Sequence, residues 1–135
     1  MGKKRIVIDT NLFISALGWG GKPEQIIDEV MHGKYKLVSS MKQFEELSAV
    51  LNYPKFDFSD NQKQRFLLLI TELSTIIKTK KKLKIADDEK DNMILEIANE
   101  TNIDYIVTGD DDLLRLKEFK QTKIVTVSDF LNILN

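Results

Sequence analysis

The sequence predicts an α/β fold: a mostly parallel sheet covered by helices on both faces. Two observations carry this expectation. The runs RIVI (5–8), YIVT (105–108) and KIVTV (123–127) are β-branched and almost wholly apolar, as in strands buried on both sides. Between such runs lie segments whose apolar residues recur at helical spacing, and strands alternating with helices build βαβ units. A third observation concerns function. The clearest strands end abruptly in polar residues, Asp9-Thr10-Asn11 and Thr108-Gly109-Asp110, and open α/β sheets carry their sites beyond the carboxyl ends of the strands.

Taken in order, RIVI is the first strand and GWGGKP (18–23) a Gly-rich loop. EQIIDEVMHG places Ile26, Ile27, Val30 and Met31 on one helical face, with Gly33 as the stop. YKLV (35–38) is the second strand. Ser39 or Ser40 caps a helix over 41–51 carrying Phe44, Leu47, Val50 and Leu51, which ends near Asn52-Tyr53-Pro54. Asp60 is the expected cap of a helix carrying Phe66, Leu67, Ile70 and Leu73. STIIKT (74–79) reads as a strand, 89–100 as a helix with Met93, Ile94, Ile97 and Ala98 inward, and 111–118 as a short helix. KIVTV and a last helix, DFLNIL, close the chain, with Ser128 or Asp129 near that helix's start.

With 135 residues, the chain is expected to form one domain over 1–135. There is no Cys, which excludes disulfides and thiolate metal sites. The apolar run after MGKKR is too short for a signal peptide or a membrane span, so a cytoplasmic protein is expected. A net charge of −1 gives no global basic field. The local pattern says more. KTKKKLK (78–84) has five Lys, and DDEKD (87–91) follows with four acids. This is either a solvated, balanced loop or a basic rim beside an acidic pocket, with Lys78, Lys80, Lys81 and Lys82 steering a polyanion.

The acids repay closer reading. If the strands ending at Asp9 and Asp110 are neighbours, their ends lie about 5 Å apart. Carboxylates that close repel unless a proton or a cation intervenes. By helix phase, Glu46 borders the apolar face of its helix while Glu45 points outward, and Asp91 flanks the apolar face of 89–100. Asp88 is better placed as that helix's cap. The acids expected to converge are therefore Asp9, Glu46, Asp91, Asp110 and Asp112. Taken singly, each also has a plainer role: cap, helix-dipole partner or surface charge. Oxygen donors without His or Cys suit Mg²⁺ or Mn²⁺. His32, the only histidine, falls at a helix C-terminus, which leaves Ser/His/Asp catalysis little support. GWGG lacks the GK[ST] ending of a phosphate loop. Trp19 within it either packs on the domain or stacks on a base.

Four segments together resemble the motifs of PIN domains, in order, from residue 5 to about 130: IVIDTN; SSMKQFEELSAVLNYPKF with Glu46; DEKDNMILEIA with Asp91; and DYIVTGDDDLL with Asp110 and Asp112. The resemblance is strongest to the small single-domain toxin components of toxin–antitoxin systems, relatives of the VapC-type ribonucleases. It implies a three-layer α/β/α sandwich around a five-stranded parallel sheet. It also implies Mg²⁺- or Mn²⁺-dependent hydrolysis of RNA, with Asp9, Glu46, Asp91 and Asp110 as metal ligands and catalytic acids. Asp112 would be an accessory acid, and Thr10, Asn11 and Thr108 supporting polar residues. Homodimers and a small antitoxin partner are further implications. A housekeeping nuclease and a non-cutting RNA- or protein-binding module share the same pattern. A phospho-accepting receiver domain does not, because STIIKTK offers no Asp after the third strand.

Overall fold

The computed structural model describes residues 2–134. Its strands are β1 (Lys4–Ile8), β2 (Tyr35–Ser40), β3 (Ser74–Ile77), β4 (Tyr105–Val107), β5 (Glu118–Phe119) and β6 (Thr122–Val125). Its helices are α1 (Thr10–Trp19), α2 (Gly21–Met31), α3 (Met41–Leu51), α4 (Asp60–Leu73), α5 (Glu89–Glu100), α6 (Asp111–Leu116) and α7 (Val127–Leu134). The sheet order is β3-β2-β1-β4-β6-β5. All pairings are parallel except that of β5 with β6.

Side-chain alternation splits the central strands between two cores. Ile6, Ile8, Leu37 and Val107 face a core built with α1, α2, α3, α4 and α7. Val7, Val38, Ile106 and Ile124 face the opposite one, built with α5 and α6. Strands buried on both faces explain the unbroken apolar runs. Among the described residues, no helix is long and apolar enough to cross a membrane.

Four expectations need correcting. The sheet has a sixth strand: β5 turns back on β6 through Lys117 and Lys120, both at positive φ (65° and 55°). Two residues are too few to show a period. GWGGKP is not a loop, because α1 runs to Trp19 and α2 starts at Gly21. Gly20 at φ 69° turns the chain in a single residue, and Pro23 lies in the first turn of α2, where its missing N–H leaves no bond unmade. The cap of α4 is Ser59, not Asp60. Ser59 and Gln62 form a reciprocal capping box, the S-x-x-Q pattern that fills two orphan donors. At α7, Thr126 Oγ1 accepts from the Asp129 N–H at 3.0 Å, so the helix begins at Val127.

Candidate metal centre at the switch point of the sheet

The site begins with topology. From β1 the chain goes to β2 and β3 on one side, then crosses to β4 and β6 on the other. Brackets of this kind open a crevice between the carboxyl ends of β1 and β4. Ile8 lies opposite Val107, and the Asp9 N–H donates to Val107 O at 2.9 Å. Asp9 thus stands where the ladder ends and α1 begins, and its Oδ1 accepts a long 3.5 Å bond from the Asn11 N–H.

Thr108, fully buried, joins the two strand ends. Its hydroxyl donates to Asp9 Oδ2 at 2.6 Å and accepts from the Asp110 N–H at 3.0 Å. Asp110 in turn caps α6, its Oδ1 accepting from the N–H groups of Asp112 (2.8 Å) and Leu113 (3.2 Å). Asp91 arrives from the first turn of α5, whose cap is Asp88. Helices α1, α5 and α6 therefore all point their N-termini at one spot, where partial positive charge favours carboxylates.

Asp91 is 4% exposed, and its Oδ2 is buried with no hydrogen-bond partner among the described residues. Burial, then the negative charges of Asp110, Asp88 and Asp9, push its carboxyl up to about 7. Asp9 is also raised, chiefly by burial; the Thr108 hydroxyl and the Asn11 N–H pull it back, and the Asp110 charge raises it further. One carboxylate oxygen each from Asp91, Asp110 and Asp112 lies within 4.8 Å of the others. Such crowding is stable only with protons or a cation between the oxygens.

A cleft of about 50 Å³ is lined by Asp9, Thr10, Asn11, Glu46, Asp91 and Asp110. The fit to a hard divalent cation follows from an all-oxygen donor set and a buried oxygen without a partner. Glu46 is half-buried as its helix phase predicts, but it faces Lys90 Nζ at 4.0 Å. Asp112 sits on the exposed rim, its Oδ1 bonded to Arg115 at 2.9 Å.

The lysine run does not ring this cleft. The backbone N–H of Lys80 donates to Glu100, that of Leu83 to Glu96, and those of Ile85 and Ala86 to Asn92. The segment therefore runs antiparallel to α5, and Lys80 lies nine residues along the helix from Asp91, about 14 Å at 1.5 Å per residue. Lys90, which the sequence reading passed over, is the lysine that lines the cleft. Trp19 is 73% exposed, meeting Phe56 only edge-on at 6.4 Å. Of the two roles open to it, packing on the domain is not what the structure shows, and it lies at the far end of α1 from Asp9.

Buried polar residues form the support. Gln43 donates to Ile8 O at 2.7 Å and to Thr10 Oγ1 at 3.4 Å, and accepts from Ser39 at 2.6 Å. It pins the end of β1. Its place one turn before Leu47, on the stripe with Val50, was the available signal.

The PIN domain family model matches residues 5–112. An uncharacterised protein of Methanocaldococcus jannaschii is 34% identical over 122 residues, covering 86% of this chain and 77% of the relative. The crystal structure of VapBC2 from Rickettsia felis, bound to a promoter DNA fragment, contains a chain that superposes with a TM-score of 0.64. At 15% identity, over 90% of this chain and 98% of that one, the likeness is one of fold. With motifs, topology and family match in register, the chain belongs to the PIN-domain family.

Proposed function

We propose that this chain is a Mg²⁺- or Mn²⁺-dependent endoribonuclease and the toxin of a toxin–antitoxin pair. The observation that carries the catalytic reading is the unpartnered buried oxygen of Asp91 among three other carboxylates. A buried acid in that state keeps its proton or takes a cation as its partner. Asp9, Asp91 and Asp110 would hold it, with Glu46 and Asp112 at the margins. When bound, the cation supplies Lewis acidity towards a phosphodiester and makes an attacking water more acidic.

The chain's own groups supply the rest. Thr108 fixes the Asp9 carboxylate and the start of the β4–α6 turn with one hydroxyl. Gln43 holds Thr10, and Asn11 keeps the Asp9 cap in place; such outer contacts orient ligands. Asp112, on the rim beside Arg115, would accept a proton from the attacking water. The toxin reading, with a small antitoxin as partner, has two supports: the motif resemblance, and a fold shared with a chain of the Rickettsia felis VapBC2 complex.

The test is cleavage of RNA by purified protein. Activity is expected to need Mg²⁺ or Mn²⁺, to vanish in EDTA, and to fall at least about 100-fold in Asp9→Asn, which keeps a capping side chain. Cleavage at the parental rate by Asp9→Asn would remove the assignment.

A further inference from the structure

The sheet carries acids at its carboxyl end and bases at its amino end. Arg5 in β1 stands in register with Lys36 in the parallel neighbour β2, so both side chains project to one side of the sheet from strands about 4.8 Å apart. Like charges so placed repel. Two residues before Arg5, Lys3 folds across the start of β2: its Nζ lies 3.4 Å from where a Cβ on Gly33 would stand. These three cations line a cavity of about 530 Å³ whose lining holds a single acid, Glu72. Of the other acids nearby, Glu29 is paired with Lys34 at 3.0 Å, and Asp104 Oδ2 accepts the backbone N–H of Arg5 at 2.8 Å. Among the described residues no ion pair holds Lys3, Arg5, Lys36 or Glu72. The Arg5 Nε is enclosed there without a hydrogen-bond partner. The lining therefore sets three positive charges against one negative.

A repelling cationic pair and an enclosed N–H without a partner both call for an anion. The excess of positive charge favours a dianion over a single carboxylate. A phosphomonoester carries about −1.5 to −2 at pH 7, and a guanidinium matches its oxygens with two parallel hydrogen bonds. The cavity lies within the range of small-ligand sites, about 300–1,000 Å³, and is larger than a phosphoryl group needs. Val30, Tyr35 and Leu73 give it an apolar wall. We propose that this cavity is a binding site for a small phosphomonoester. The phosphoryl group lies on Arg5 and Lys36 with Lys3 beside it, and an apolar or aromatic body lies against Val30, Tyr35 and Leu73. Arg5 is four residues from Asp9 along β1, about 13 Å. The site is thus separate from the acidic cleft and independent of the nuclease reading.

The experiment is isothermal titration calorimetry on the full chain in metal-stripped buffer at about pH 7.5, where the ester is a dianion. The titrants are adenosine 5′-monophosphate, inorganic phosphate and acetate at matched ionic strength. The monophosphate is expected to bind once per chain, more tightly than phosphate, with acetate weakest. Lys36→Gln, at an exposed side chain that the fold does not need, is expected to weaken the monophosphate about tenfold, as is Arg5→Gln. Lys36→Arg is expected to keep the parental affinity. So is Lys4→Gln, because Lys4 points to the other side of the sheet, its Nζ 5.9 Å from the centre of the Tyr105 ring. Acetate bound as tightly as the monophosphate, no binding of either phosphate species, or full affinity in both Gln variants would overturn the proposal. Inorganic phosphate bound as tightly as the monophosphate would overturn the ester assignment and leave free phosphate as the ligand. RNA cleavage is not read, so neither result bears on the nuclease reading.

Discussion

Asp91 and Glu96 sit on the same helix, five residues apart, and each is 4% exposed. Their surroundings differ completely. Glu96 meets a lysine ammonium and a backbone N–H, one at each carboxylate oxygen. Asp91 meets three negative charges and leaves an oxygen without a partner. Burial alone therefore does not mark a functional acid. Glu96 ties the 78–84 segment and α3 to α5, so its charge is part of the architecture. Asp91 belongs to a set whose charge is unbalanced until something positive arrives. The same helix carries a closed account and an open one.

The sharpest way to break this comparison is to neutralise each acid in turn. Asp91→Asn is expected to lower RNA cleavage by about 100- to 1,000-fold, as for loss of a metal ligand or its immediate support. It should leave the melting temperature in EDTA equal or higher, since a repelled charge is gone. Glu96→Gln is expected to do the reverse. It should cost about 1–2 kcal/mol by denaturant unfolding, because a buried acceptor loses its charge while one partner, Lys42, is half exposed. The folded fraction should still cleave within a few-fold of the parent. If both variants lost stability alike and activity alike, the distinction would collapse.

Acidity gives a second handle. In the folded, metal-free chain the Asp91 carboxyl titrates at about 7, against an ordinary value of 3.8. Between those values the folded state holds more protons than the unfolded state, so stability falls as pH rises. Asp9 is shifted in the same direction. The melting temperature in EDTA is expected to be several degrees lower at pH 8 than at pH 5. Mn²⁺ should erase the deficit, and Asp91→Asn should shrink it. A pH-independent melting temperature in EDTA would contradict the picture of an unbalanced cluster.

Thr108→Val is the mildest probe. It removes the donor to Asp9 and the acceptor for the Asp110 N–H while keeping the β-branched shape. Cleavage is expected to fall about tenfold, at the low end for losing a contact that orients a ligand. Equal activity in the valine variant would assign Thr108 to packing alone.

These contrasts also show what was legible beforehand. Asp9 and Asp110 could be picked out because a polar residue straight after an apolar strand sits, by topology, at one edge of the sheet. Helix phase separated Glu46 from Glu45 and put Asp91 beside an apolar face, and capping preference set Asp88 apart. Glu96 and Gln43 were missed because their partners come from distant segments: Lys42 for one, Ile8 and Ser39 for the other. Both residues lie on apolar stripes of their helices, and a polar residue there is the sign of a buried network. The course of the lysine run was hidden for a related reason. Proximity in sequence to the acids suggested a rim, yet the backbone at Lys80 and Leu83 is committed to Glu100 and Glu96, which lays the segment along α5. Strand β5 depends on two residues at positive φ, Lys117 and Lys120, which composition does not announce.

Asp9 and Asp110 each start a helix and face the cleft with the same carboxylate. This double employment has a practical side. An alanine at either position would fray α1 or α6 while it disarmed the chemistry, and a dead variant would not reveal which loss killed it. Asparagine or serine separates the two, since both still cap a helix. Inactive forms intended for trapping an uncut RNA should be built with those residues.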